Sequence, residues 1–276
     1  MSGPDGYERP ALAGSGAIAC GLAAAATQAG EVRLLARSDA SAWRAEEEAQ
    51  TAAGRLDRGS ANRVRVTTQP GDIADSDLVV EAIVEDLDAK VALLSELGSA
   101  CPDADLATTT SSLSVSALGE RSGHADRVFG LHVFNPVHRM ELVELCIPEP
   151  VRDGVAERAT AWCRALGKTA IEVPDQSGFV VNRLLFPYLF DAVRLLDRGV
   201  SAADVDACMR LGAGHPMGPL RLLDFVGLDV AESIGDSLHA ESGDPAHEVP
   251  DAIRSLVAKG KLGRKSGAGF YDYEDE

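Results

Sequence analysis

Residues 9–36 read RPALAGSGAIACGLAAAATQAGEVRLLA. A short apolar run meets a tight glycine turn, small apolar residues follow, a glycine breaks them, and a second apolar run begins. Strand, turn, helix, break and strand make one βαβ unit. Inside it Gly14-Ser15-Gly16-Ala17-Ile18-Ala19 fits G-x-G-x-x-A. The first glycine makes the turn, the second lets a diphosphate approach the backbone, and the small Ala19 allows close helix–strand packing. The positive end of the helix dipole then favours the phosphates. Gly14, Gly16 and Ala19 are the expected core of a dinucleotide site.

Outward from this unit, short apolar runs recur at 63–67, 77–82, 104–109 and 128–134, with helical stretches such as 87–97 between them. The alternation predicts a Rossmann-like α/β fold with a doubly wound, mostly parallel sheet. The Asn135-Pro136 turn and the run 140–146 are expected to add an antiparallel edge. A helix over about 152–166, stopped at Gly167, leads to one more strand at 168–173, and Pro174 closes the region. From Phe179 the periodicity turns helical: PYLFDAVRLLDRG (187–199), then SAADVDACMRLGAG (201–214) with its Ser cap, then a third run over 220–238. The expected division is a dinucleotide-binding domain over 1–175 and an all-α C-terminal substrate and dimerisation domain over 176–276. The apolar faces of the second domain exceed what a few short helices bury among themselves, which predicts a homodimer through it.

At 276 residues and 45% hydrophobic content, the chain is long enough for one large or two ordinary domains with real cores. No apolar run approaches the roughly 20 residues that cross a bilayer. The start, MSGPDGYERP, lacks the charged-then-apolar order of a secretory signal, so a cytoplasmic protein without membrane partners is expected. The five cysteines form no C-x-x-C and sit in mostly apolar segments, which suits reduced core thiols and indicates neither disulfides nor a metal site. A net charge of −17 repels nucleic acid and anionic membranes, and leaves an anionic ligand only a locally positive site.

An NAD site ordinarily carries an acidic residue at the end of the second strand to bond the ribose 2′-hydroxyl. Here the strand ends Leu34-Leu35-Ala36-Arg37-Ser38. Arg37 with Ser38 suits a 2′-phosphate, so NADP(H) is favoured over NAD(H). The competing reading leaves Arg37 solvated and gives the ribose to Asp39.

Further along, FGLHVFNPVHRMELVE (129–144) holds His132 and Glu144 either side of an Asn-Pro turn. Taken alone it is a hairpin whose polar residues face water. Other stretches change its weight: TTTSSLS (108–114), DQSGFVVNRLL (175–185) with LGAGHPMGPLRLLDFVGLD (211–229), and GKLGRKSGAGFYDY (260–273). With GLHVFNP they resemble, in order and spacing, the 3-hydroxyacyl-CoA dehydrogenase family, including bacterial 3-hydroxybutyryl-CoA dehydrogenases. The resemblance spans nearly the whole chain and is strongest from Asp77 onward. It implies that His132 is the catalytic histidine and Glu144 its partner. It also implies that Ser111 and Asn182 bond substrate oxygens and that Glu85 and Lys90 contact the cofactor.

Those residue types suit the chemistry. Oxidising a 3-hydroxyl requires a base for its proton as hydride leaves C3, reduction requires the same group as acid, and imidazole serves both near neutral pH. A carboxylate on the other ring nitrogen fixes the tautomer and stabilises the imidazolium. The structural alternatives are that Ser111 caps a helix and Asn182 satisfies a loop. His138 replaces the family's usual proline and is expected as an exposed loop residue. The cationic, glycine-rich tail suits either an anion site or a folded-back strap.

Two departures stand out: Thr109 occupies the place where the family commonly has Asn, and 39–75 is shorter than the family's helical hairpin, which helps hold coenzyme A. The handle therefore stays open. Short-chain acyl-CoA comes first, then an acyl carrier protein as in the making of polyketide extender units, then a free hydroxy or sugar acid. A non-catalytic nucleotide sensor fits least, because all four catalytic-type residues are present.

Overall fold

The computed structural model describes residues 6–273. The chain divides into two compact units, Met1–Gln176 and Ser177–Glu276. The first is built on one eight-stranded sheet: β1 (Pro10–Ala13), β2 (Val32–Leu35), β3 (Val64–Thr67), β4 (Leu78–Glu81), β5 (Asp105–Thr108), β6 (Val128–Val133), β7 (Leu142–Cys146) and β8 (Thr169–Glu172). Their order across the sheet is β3-β2-β1-β4-β5-β6-β7-β8, and β1 to β6 are parallel. The strands β1, β4, β5 and β6 are buried along their whole length. Helix-covered parallel strands have no solvent face, which is why they read in sequence as continuous rather than alternating apolar runs.

The crossovers are α1 (Ala17–Ala26), α2 (Asp39–Ala53), α3 (Leu87–Ala100) and α4 (Val115–Ser122), with α1 packed on α2 and α3 on α4. Right-handed connections put the first pair on one side of the sheet and the second on the other. The strand sequence reverses direction between β1 and β4, which opens a crevice at the carboxyl ends of those strands. Glu81 closes β4 there, beside Ala13 of β1 and Thr108 of β5.

One expectation needs correcting at the far side of the sheet. β7 is antiparallel to β6, but it is not the edge: α5 (Val155–Ala165) carries the chain to β8, which pairs parallel to β7 and lies outside it. Periodicity reveals a strand without its lateral neighbour. The buried stripe Val155, Ala159, Trp162 and Cys163 makes α5 a crossover helix.

The second unit is helical: α6 (Val181–Arg194), α7 (Ala202–Ala213), α8 (Pro219–Val226), α9 (Leu228–Ser242) and α10 (Asp251–Ala258). Its core gathers Phe186, Leu189, Phe190, Leu220, Leu223 and Leu238. The single run expected over 220–238 is two helices, because Gly227 stands between them at φ +107. The tail folds back on α8, where the Asp224 carboxylate accepts from the amides of Phe270 and Tyr271, both at 2.9 Å. A Cβ on Gly263 or Gly269 would overlap Asp224, so the tail's glycines serve close packing around a buried carboxylate. Four cysteines are buried thiols, whereas Cys208 is exposed on α7, contrary to the core placement expected of it. Among the described residues no helix is long and apolar enough to cross a membrane.

Candidate active site

The β6–β7 ladder sets His132 directly opposite Glu144. Residues facing each other across an antiparallel pair share one face of the sheet, so a separation of twelve positions becomes contact. Nδ1 of His132 lies 2.8 Å from Oε2 of Glu144, with the residues 5% and 1% exposed. An ionised carboxylate only accepts, which assigns the proton to Nδ1 and leaves Nε2 as the acceptor nitrogen. The Phe134 ring meets the imidazole edge-on at 4.6 Å. The turn itself is closed by Pro136, whose carbonyl accepts from the amides of Arg139 and Met140.

A second cluster occupies the ends of β4 and β5. Glu81 is fully buried; Oε1 accepts from the Lys90 ammonium and the Ile83 amide, each at 2.8 Å, and Oε2 accepts from the Thr108 hydroxyl at 2.6 Å. Lys90 is also fully buried, and 3.5 Å away is Oε2 of Glu85. Oε1 of Glu85 accepts from the Thr110 hydroxyl at 2.7 Å, from the amides of Ser111 and Ser112 at 2.7 and 2.9 Å, and from their hydroxyls at 3.3 and 3.0 Å. Desolvation pushes the Glu85 carboxyl upward, but the Lys90 charge and these donors outweigh it and hold it below the ordinary carboxylate range. Nearby, Asp175 caps α4 through the amides of Val115 and Ser116, both at 2.9 Å, and the hydroxyls of Ser114 and Ser116. It too is held low, because those bonds outweigh the upward push of burial.

The first turn of the sheet fits a dinucleotide. Gly14 has φ +150, and a Cβ there would meet the Ala82 carbonyl at 2.2 Å and the Ala19 methyl at 3.2 Å. A Cβ on Gly16 would meet nothing within 4 Å, and Gly16 starts α1 with no side-chain cap. Open space and uncapped amides at a helix start are what a diphosphate needs.

The expected site residues thus fall into groups. His132 joins Glu144, Ser111 joins Glu85, and Gly14, Gly16 and Ala19 form the β1–α1 turn. Ser38 is committed to the start of α2, where its hydroxyl and that of Ser41 form a reciprocal cap, while Arg37 is exposed. Lys90 reaches the Ser111 turn only through Glu85. Asn182 lies in the helical unit, buried in the first turn of α6. Sequence reasoning passed over Glu81, Thr110 and Asp175; the one available signal was an acidic residue ending an all-apolar strand.

A dinucleotide-fitting βαβ turn, a buried histidine–carboxylate pair on the same sheet and a helical second unit define a nicotinamide-dependent oxidoreductase. The chain belongs to the 3-hydroxyacyl-CoA dehydrogenase family: residues 10–176 match the NAD binding domain of that family and residues 178–273 its C-terminal domain. It is 36% identical to a 3-hydroxybutyryl-CoA dehydrogenase of Mycobacterium tuberculosis over 98% of this chain and 99% of that one. Against the human mitochondrial hydroxyacyl-coenzyme A dehydrogenase, identity is 43% over 73% of this chain and 65% of the human one. The crystal structure of (S)-3-hydroxybutyryl-CoA dehydrogenase from Ralstonia eutropha superposes with a TM-score of 0.91 at 34% identity, over 98% of this chain and 100% of that one.

Proposed function

We propose that the protein interconverts 3-hydroxyacyl and 3-oxoacyl thioesters, with short-chain acyl-CoA as the substrate class. The observation that carries this reading is the His132–Glu144 pair, buried on the same sheet whose β1–α1 turn fits a dinucleotide. In oxidation, Nε2 of His132 takes the 3-hydroxyl proton as hydride leaves C3; in reduction the imidazolium returns it to the 3-oxo oxygen. Glu144 fixes the tautomer and offsets the positive charge. Ser111 and Asn182 each bond a substrate oxygen and orient it. The nicotinamide cofactor supplies or accepts the hydride, and Gly14, Gly16 and Ala19 form its diphosphate turn.

NADP(H) is favoured over NAD(H). Arg37 stands exposed where an NAD site has its carboxylate, and Asp39, the alternative ribose ligand, is drawn to the Thr68 hydroxyl at 3.4 Å. A second reading keeps the chemistry and moves the acyl group to a carrier protein. It is favoured by the short connection after α2, where only a three-residue helical turn, Ala61–Arg63, precedes β3. We also propose a homodimer, because the helical unit leaves Leu184, Leu211 and Phe225 exposed; light scattering should then give twice 28.9 kDa.

The deciding assay sets both cofactors against both handles. Acetoacetyl-CoA should be reduced faster with NADPH than with NADH; equal or better use of NADH removes the Arg37 argument. Reduction of a carrier-bound 3-oxoacyl group with acetoacetyl-CoA inert replaces the first reading with the second.

A further inference from the structure

Glu81, Lys90 and Glu85 form a chain of charges that begins under the β1–β4 crevice and ends on Ser111. We infer, on the reading of Ser111 as a substrate-bonding residue, that Glu81 and Lys90 are positioning residues which act through Glu85 to fix the Thr110–Ser111–Ser112 turn.

An ammonium has three donors. Lys90 donates to Glu81 Oε1 at 2.8 Å and to the Ile83 carbonyl at 3.4 Å, and its charge lies 3.5 Å from Glu85 Oε2. The Lys90 side chain is only 1% exposed. Glu81 is in turn immobilised by the Thr108 hydroxyl and the Ile83 amide, so the ammonium has one place to sit. A carboxylate is planar: with Oε2 of Glu85 drawn to Lys90, Oε1 is aimed at the turn. There it gathers the Ser111 and Ser112 amides together with the Thr110 hydroxyl, which is itself wholly buried. Two carboxylates on one cation leave a surplus negative charge, and these donors offset it. The Glu85 side chain, 28% exposed, is the outer member of the relay. Its hold on Ser111 includes the backbone amide as well as the hydroxyl, so the whole residue is oriented. Removing the Lys90 charge leaves Glu85 nothing to face inward, and the turn loses its anchor although no residue of the turn has changed.

The test is a double-mutant cycle in the full-length chain, Lys90→Met with Ser111→Ala, read as kcat and KM for acetoacetyl-CoA and as Kd for NADPH from its fluorescence. Ser111→Ala is expected to lower kcat about 100-fold and Lys90→Met about 10-fold, each with Kd for NADPH within about twofold of the unsubstituted chain. The double variant should fall no more than about threefold below Ser111→Ala alone, because both act on one interaction. Losses that multiply overturn the inference, as does a tenfold weaker NADPH complex with kcat retained. Where Lys90→Met does not fold, Glu81→Gln takes its place with the same expectations, since it keeps the side chain's shape and removes its charge. Turnover by the unsubstituted chain tests the functional reading separately. Should acetoacetyl-CoA be inert, the Ser111 and Ser112 amide resonances decide the inference alone: both shift in Lys90→Met if the relay holds the turn, and unmoved resonances overturn it.

Discussion

The sheet buries a carboxylate at each end, and the two are finished differently. At the amino ends of the strands Asp105 opens β5 at 1% exposure, its Oδ1 held by the guanidinium fork of Arg152 and its Oδ2 by Arg158 Nη2 at 2.6 Å and the Tyr7 hydroxyl at 2.7 Å. Toward the carboxyl ends Glu144, equally buried, faces His132. Both obey the rule that a buried charge is paired. The partners of Asp105 do not titrate near neutral pH: guanidinium stays charged, and burial beside Asp105 pushes the Tyr7 phenol far up. Imidazole does titrate there. The difference teaches that a buried carboxylate becomes chemistry through what its partner can exchange; with partners that exchange nothing, it is a staple holding Tyr7, β5 and α5 together.

The largest expected effect falls on the exchanging partner. His132→Gln should lower kcat by about 10³-fold, within the range for losing a general acid–base, while NADPH binding and the thermal midpoint change little. Measured turnover within about tenfold of the unsubstituted chain would break the comparison at its functional end.

The converse holds at the other end of the sheet. Asp105→Asn removes the negative charge that two guanidinium groups face and puts an amide donor where one carboxylate oxygen accepted, and should destabilise the protein by about 3 kcal/mol, the low side for breaking a buried pair because both arginines are about a third exposed. Urea unfolding measures this, and kcat per folded molecule should be retained. A loss of kcat without a loss of stability would sink the assignment of Asp105 as a staple.

These two ends were unequally legible in the sequence. The β1–α1 turn was readable because each glycine has a local cause: Gly14 cannot carry a Cβ against Ala82, and Gly16 opens on space. The Asn-Pro turn announced a hairpin, but His132 and Glu144 were singled out through the family resemblance of GLHVFNP and its companion motifs, and only the β6–β7 register shows them face to face. The Asp105 staple was not, since Tyr7, Asp105, Arg152 and Arg158 lie far apart in the chain and no periodicity links them. Glu81 was hidden for a related reason: its partners are Lys90 on a helix and Thr108 on a neighbouring strand, and only the strand order makes them neighbours. The β8 edge and the break at Gly227 were missed because apolar runs register elements but neither their lateral order nor a single backbone angle within them.

The smallest effect concerns how one carboxylate in each unit responds to acid. Glu85 is held below the ordinary carboxylate range, the Lys90 charge and the Thr110–Ser112 donors outweighing desolvation. A depressed folded-state value means that ionised Glu85 contributes stability above the unfolded-state value, about 4.3, and that this is lost as pH falls toward and through the lower folded one. Asp224 is the opposite case: burial pushes its carboxyl up more than the Phe270 and Tyr271 amides and the Tyr273 hydroxyl hold it down. Its contribution is complete in acid, below the unfolded value of about 3.9, and is lost as pH rises through the higher folded one. Urea midpoints followed between about pH 3 and pH 7 should therefore show the stability gap between the unsubstituted chain and Glu85→Gln closing on acidification. The gap to Asp224→Asn should close in the other direction, as the buffer is made neutral. Gaps that move together would mean that the Lys90 charge does not reach Glu85, and the relay would lose its electrostatic basis while the hydrogen bonds to the turn remained.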